Sequence, residues 1–390
     1  MVTAAGVRPD TTMGRALAAR ALRLEATHTG NRLAASSGLL NLTQPESVLL
    51  PEHIRQAAKD ALDRGETHYT VRPGVPELRA AIARQLDREG FSASVDRTVI
   101  TNGGAEALYI ALQATLKPGH RAAVLGPVDP GVLEMIRFIG AEVHVAAGDP
   151  ENRFIPSPED FSSIEAGVLI LASPSPITGV AIPSAALEAI VSSAVERGVS
   201  VILDRTHSSC LYQPEVQPFR ERALTENFFL IGSFSVSHAL RGWQVGYFVS
   251  PEQRIAELRG LKQAMSICTT AVSQFTALAA LEEPTDWFDG RRRELRARRD
   301  SVIAELQAAG LAVLAPDAYP PLMIDTRPIA SDDRSVVEYL RGSGVAVEPG
   351  SRFGPMTAGF IRIDLSCDAE VLDKGIRRIV ALADDGNSHG

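Results

Sequence analysis

The chain has 390 residues, 45% hydrophobic and 22% charged, with a formal net charge of −8. That length suits a large core with a smaller satellite, and the acidic balance argues against nucleic acid or an anionic membrane surface as a partner. Cys210, Cys268 and Cys367 are widely spaced and odd in number, which excludes a disulfide framework or a zinc spacing and implies a reducing compartment. With no run of about 18 apolar residues and no signal-peptide pattern, a soluble cytoplasmic protein is expected.

Residues 1–47 read as an N-terminal arm and entry segment, with a helical pattern around Met13–Leu24 and a short extended run near Gly38–Glu46. Apolar spacing predicts a helix over Pro51–Arg64, with proline in its first turn. Val99–Thr101 ends a strand, and Gly103-Gly104 turns the chain into a helix starting near Ala105. The N–H groups at such a start favour an anion. Short apolar runs at Ala122–Gly126, Glu142–Ala147, Val168–Ser173, Val199–Asp204, Phe228–Ser233 and Gly246–Val249 predict strands buried on both faces. Helices are expected at Gly131–Ile139, Ser184–Arg197 and Pro251–Gln263. The alternation means an α/β domain over 48–282 with a mostly parallel sheet. Residues 283–390 read as a small α+β domain. It opens on a charged helix (Arg291–Ala309), continues with strands near Leu311–Leu314, Leu322–Asp325, Val345–Val347 and Phe360–Asp364, and closes on an amphipathic helix (Ala369–Ala383).

The segment from Ser233 to Tyr247, Ser-Phe-Ser-Val-Ser-His-Ala-Leu-Arg-Gly-Trp-Gln-Val-Gly-Tyr, resembles the cofactor-lysine segment of class I/II aminotransferases. These fold-type I enzymes use pyridoxal phosphate (PLP), and their pattern is Ser-x-Ser-Lys followed by Gly-x-Arg-x-Gly. Leu39–Pro45, Thr67–Arg79, Pro349–Gly354 and Gly359–Leu365 are similar to further motifs of that family, so the resemblance covers about 38–383. It implies a large domain built on a mostly parallel seven-stranded sheet, a small C-terminal domain, and a homodimer with the site at the interface.

Within the resemblance, two chemical positions differ. Val236 stands at the Schiff-base lysine and Gln244 at the phosphate-binding arginine, while Gly103, Gly104, Ser233 and Ser235 keep the phosphate frame. The chain has only four lysines, Lys59, Lys117, Lys262 and Lys374, none just after a buried strand. Asp204 matches the aspartate at the pyridine nitrogen. His207 replaces the tyrosine three residues later, Pro176 replaces an asparagine, and Asp129, or Val128 if the register slips by one, aligns with the stacking aromatic. Arg362 matches the arginine that grips the substrate carboxylate, and Tyr69 matches a tyrosine that crosses the dimer interface. Arg352 and Arg72 add cations at motif positions that usually hold small residues.

These replacements suggest a cofactor-independent enzyme, in which PLP is at most a non-covalent ligand. His207 and His238, supported by Asp204 and Asp129, would move protons. Arg362, with Arg352, Tyr69 and Arg72, would hold an amino-acid-like or keto-acid-like small-molecule carboxylate. The expected reaction is elimination, isomerisation, cyclisation or condensation. Alternatives are non-covalent PLP or its amine form with a histidine base, a non-catalytic binding or partner subunit, and iron held by His207, His238 and Asp204. Against the last, the spacing lacks a metal-ligand motif, so no metal is expected.

Overall fold

The computed structural model describes residues 39–43, 45, 48–146, 148–157, 166–213, 227–282 and 286–387. The helical pattern at Met13–Leu24 lies outside them.

The chain enters through β1 (Leu40–Asn41) and reaches α1 (Glu52–Asp63), capped by Pro51. Burial of Ile54, Ala58 and Ala61 follows the helical repeat. Helix α2 (Pro76–Arg88) has proline in its first turn and buries Leu78, Ile82 and Leu86. Strand β2 (Thr98–Asn102) feeds α3 (Gly103–Thr115) without a linker. Then follow β3 (Arg121–Leu125), α4 (Pro130–Phe138), β4 (Glu142–Ala146), β5 (Val168–Ala172), α5 (Ser184–Glu196), β6 (Ser200–Asp204), β7 (Phe228–Ser233) and β8 (Val245–Val249). The sheet order is β2-β8-β7-β6-β5-β3-β4, with β8 alone antiparallel to its neighbours.

Successive residues of the central strands enter opposite cores. Val201, Leu203, Phe228 and Leu230 pack on one face; Ile202, Phe229 and Ile231 pack on the other. That is the period-two consequence of a sheet covered on both sides. Because β2, β3, β5, β6 and β7 run the same way, Asn102, Leu125, Ala172, Asp204 and Ser233 finish on one edge. The carboxyl ends of parallel strands are where ligands bind in such sheets.

Helix α6 (Ile255–Ser266) starts later than its sequence pattern suggests, because one 3-10 turn (Glu252–Arg254) follows Pro251. Helix α7 (Ala271–Glu282) has no polar stripe to mark it in the sequence, since it is wedged against α1 and α2. The 23-residue α8 (Asp286–Ala308) spans about 35 Å at 1.5 Å per residue. Its Leu295 packs with Cys210, Tyr212 and Tyr319, whereas Val302 and Leu306 enter the smaller core.

That smaller core lies on an antiparallel sheet of order β12-β13-β10-β9, formed by β9 (Val313–Leu314), β10 (Pro321–Asp325), β12 (Glu348–Pro349) and β13 (Phe360–Asp364). Helices α9 (Asp333–Gly342) and α10 (Ala369–Asn387) complete it. Between α9 and β12, β11 (Val345–Ala346) pairs in parallel with β1, and Leu42 sits in the smaller core. The entry segment is therefore built into the C-terminal domain. Among the described residues no helix is long and apolar enough to cross a membrane.

Candidate active site

At the β2–α3 junction, Gly103 has φ +79°, a left-handed conformation that suits glycine. Gly246 on β8 lies so close behind it that a Cβ there would stand 2.5 Å from the Gly103 carbonyl carbon. Gly104 faces Thr206 and Ser233: a Cβ on it would meet Thr206 Cγ2 at 2.9 Å and Ser233 Cβ at 3.4 Å. The Gln244 side chain closes the other side, with Oε1 3.1 Å from the Cβ that Gly103 lacks and Nε2 donating to the Arg241 carbonyl at 2.6 Å. Ser233 Oγ donates to Ser235 Oγ at 3.0 Å. The first N–H groups of a helix have no partner within it, so this is an anion cradle in shape and polarity.

Asp204 ends β6 beside the cradle, its Oδ1 accepting from the Thr206 amide at 2.8 Å. Burial raises its carboxyl above the usual range, opposed by the Thr206 hydrogen bonds. His207 Nδ1 lies 3.2 Å from Thr206 Oγ1. Burial, reinforced by the positive charges of Arg362 and Arg241, lowers His207 to about 3, so it is neutral at physiological pH. His238 Nδ1 is 2.8 Å from Ser237 Oγ, and its ring packs 5.2 Å from both Phe234 and Phe288. Burial lowers it to about 4. Asp129 is exposed and caps α4, accepting from Gly131 N at 2.7 Å. The expected acid–base set is therefore not assembled. Each histidine has a hydroxyl neighbour where a carboxylate is expected, and Asp129 serves its own helix. Burial also pushes the Cys210 thiol up to about 12, which removes it as a nucleophile.

Val236 packs with Leu211 against Cys210, Leu295 and Tyr319. It also lines a narrow cleft with Arg241 and Ser366. The one buried lysine, Lys262, is 3.3 Å from Glu106 and 2.5 Å from Ser266 Oγ on α6, which fixes it in an ion pair.

Arg362 projects from β13 and is held by three acceptors. Its Nε donates to the Ile177 carbonyl at 3.2 Å and its Nη2 to the Pro176 carbonyl at 3.3 Å, while Nη1 pairs with Glu348 Oε2. Pro176, which the resemblance aligns with an asparagine, contributes its carbonyl here. Glu348 sits directly opposite Arg362 in the β12–β13 register, and its Oε1 accepts from Arg352 Nη1 at 3.1 Å. The sequence reading missed Glu348. The available signal was a lone acid in the otherwise apolar run Val345-Ala346-Val347-Glu348-Pro349. Arg241 was also missed. Tyr69 is 78% exposed and Arg72 is exposed beside it, both turned to solvent in the single chain. Among the described residues no three His, Cys, Asp or Glu side chains form a group fit for a metal.

The cleft itself tests the fit to PLP. The glycine turn, with Ser233 and Ser235, suits a phosphate, and the partly buried Asp204 carboxyl suits a pyridine nitrogen. Val236 offers no amine.

Residues 38–379 match the family described as aminotransferase class I and II. The chain is 32% identical over 340 residues to an aspartate/prephenate aminotransferase of Thermus thermophilus, covering 85% of this chain and 87% of the relative. It is 32% identical over 362 residues to an arginine–pyruvate transaminase of Pseudomonas aeruginosa, covering 88% and 92%. The solved aspartate aminotransferase from Thermus thermophilus with maleate superposes with a TM-score of 0.85 at 31% identity, covering 92% of this chain and 96% of that one. These relatives overturn the expectation of cofactor-free elimination, isomerisation, cyclisation or condensation, and the alternative of a non-catalytic subunit. They equally overturn the expectation that the enzyme works without a cofactor. The replacements at single pocket positions misled because the relatedness extends over most of the chain and joins it to enzymes that transfer amino groups. The chain belongs to the aminotransferase class I and II family.

Proposed function

We propose that this chain uses PLP to move an amino group between an amino acid and a 2-oxo acid, with the substrate carboxylate resting on Arg362. The observation that carries the reading is that two handles end on the carboxyl edge of the large sheet and a third reaches the segment after β5 from β13 of the smaller sheet. These are the Gly103–Gly104 cradle, the Asp204 carboxyl at the end of β6 and an arginine held in place by the Ile177 and Pro176 carbonyls. The names of the aspartate/prephenate and arginine–pyruvate relatives support it.

When bound, PLP supplies an electron sink for the bonds at the substrate α-carbon. The cradle and Ser233 would hold its phosphate, and Asp204 would face its ring nitrogen. Arg362 would orient the substrate by its carboxylate, and the neutral His207 would present a hydrogen-bonding nitrogen without adding charge. Tyr69 and Arg72 would reach the neighbouring site across a homodimer. Within the family the chain is divergent, because Val236 occupies the lysine position and Gln244 the arginine position. The wall near the reacting carbon is therefore apolar on that side.

The test is amino-group exchange between a panel of amino acids and 2-oxo acids, with PLP supplied, measured by product formation. Arg362→Ala is expected to lower kcat/KM about 100-fold through loss of a charge-assisted bidentate contact. Saturable PLP binding without exchange for any pair in the panel would refute amino-group transfer.

A further inference from the structure

We propose that Glu348 sets the substrate class of the Arg362 site, confining it to monocarboxylates and rejecting dicarboxylates. The proposal rests on the reading of Arg362 as the carboxylate handle and adds a selectivity that the handle alone does not have.

Glu348 and Arg362 are partners in the β12–β13 ladder, so their side chains leave the same face of the sheet side by side. Their side chains are only 18% and 15% exposed, and the pair is correspondingly little screened by water. Glu348 divides its two oxygens, Oε2 to Arg362 and Oε1 to Arg352 at 3.1 Å. The three groups form one triad with a formal charge of +1.

That arrangement has two consequences. A guanidinium has five N–H donors. In Arg362 three are engaged by Ile177, Pro176 and Glu348, which leaves two, enough for one carboxylate. The charge balance points the same way: one carboxylate neutralises the triad, whereas a second finds Arg352 already answered by Glu348. A dianion therefore leaves an uncompensated negative charge next to Glu348, and like-charge juxtaposition is how sites discriminate against a wrong partner. A valine or glutamine at position 348 would leave two free cations and a site suited to dianions.

The experiment compares maleate with its monomethyl ester, which share a skeleton and differ by one charge. Binding to the full chain loaded with PLP is measured by calorimetry at pH 7.5. The wild type is expected to bind the monoester more tightly than maleate. Glu348→Gln, which keeps size and a hydrogen-bond acceptor, is expected to shift the maleate-to-monoester affinity ratio at least tenfold towards maleate. Arg352→Gln, at a half-exposed position, is expected to weaken the monoester at least fivefold by cancelling the net charge of the triad. A wild type that prefers maleate, or a ratio unmoved by Glu348→Gln, overturns the proposal. Arg362→Ala separates the two levels: unchanged binding of both ligands there means that Arg362 is not the handle. In that case the parent reading fails, and the Glu348 proposal with it. Loss of both ligands in Arg362→Ala with an unmoved ratio in Glu348→Gln condemns the Glu348 proposal alone.

Discussion

Replacing His238 with phenylalanine should flatten the acid side of the stability profile. The imidazole lies between Phe234 and Phe288 at 5.2 Å from each, so a phenyl ring matches its surroundings. Ser237 Oγ, its hydrogen-bonding neighbour, also donates to the Ser233 carbonyl at 3.3 Å and is not stranded by the change. Burial lowers His238 from 6.5 to about 4, so the unfolded chain binds a proton more readily than the folded one across that interval. The sign follows: the stability is fully present above pH 6.5 and is lost as pH falls towards 4. The whole depression corresponds to about 3 kcal/mol, of which about 2 kcal/mol is lost between pH 8 and pH 5. His207 adds a loss of the same sign, while the raised carboxyl of Asp204 acts in the opposite direction. Both residues are present in variant and wild type and cancel in the comparison. Urea unfolding at pH 8 and pH 5, followed by tryptophan fluorescence, measures the difference. Trp287 is a nearby reporter, packed 4.9 Å from Phe288. His238→Phe should lose about 2 kcal/mol less than wild type between the two pH values. An equal loss in both proteins would mean that His238 is not buried as a neutral ring.

Gly104→Ala places a Cβ 2.9 Å from Thr206 Cγ2, so the turn must shift; PLP affinity should fall at least tenfold in a fluorescence titration, with the melting temperature lowered by the overpacking. Gln244→Arg sets a guanidinium beside Gly103 and should tighten PLP binding about tenfold, in a salt-dependent way. Val236→Lys puts an amine at the position we propose for the family's lysine, among apolar neighbours that lower its pKa. Borohydride reduction with PLP followed by peptide mapping should then find the cofactor attached at position 236. Attachment only at other lysines would show that position 236 does not face the cofactor.

Much of the architecture was legible without coordinates, because strand burial is a local signal. Runs such as Val201–Leu203 and Phe228–Ile231 are apolar at every position only when both sheet faces are covered, and the motif ends then fall on one edge. Strand ends at Asn102 and Asp204 fall where these runs put them, whereas the roles given to Asp204, the glycine turn and Arg362 came from the resemblance to the family. The local signal failed on α7, where burial on all sides erases the amphipathic stripe that marks a helix. The resemblance failed on Asp129, whose cap to Gly131 is a two-residue contact that competes with any role in the cleft.

What the sequence by itself determined is therefore residue identity at each motif position: a valine at 236, a glutamine at 244, an aspartate at 204 and an arginine at 362. What only the tertiary structure decided is the charge state and occupation of those groups. His238 is neutral because Phe288, 50 positions along the chain, covers it. Arg362 is half-satisfied because a cross-strand register puts Glu348 opposite it. Desolvation and ion pairing depend on what faces a side chain across space, and no local pattern of residues encodes that.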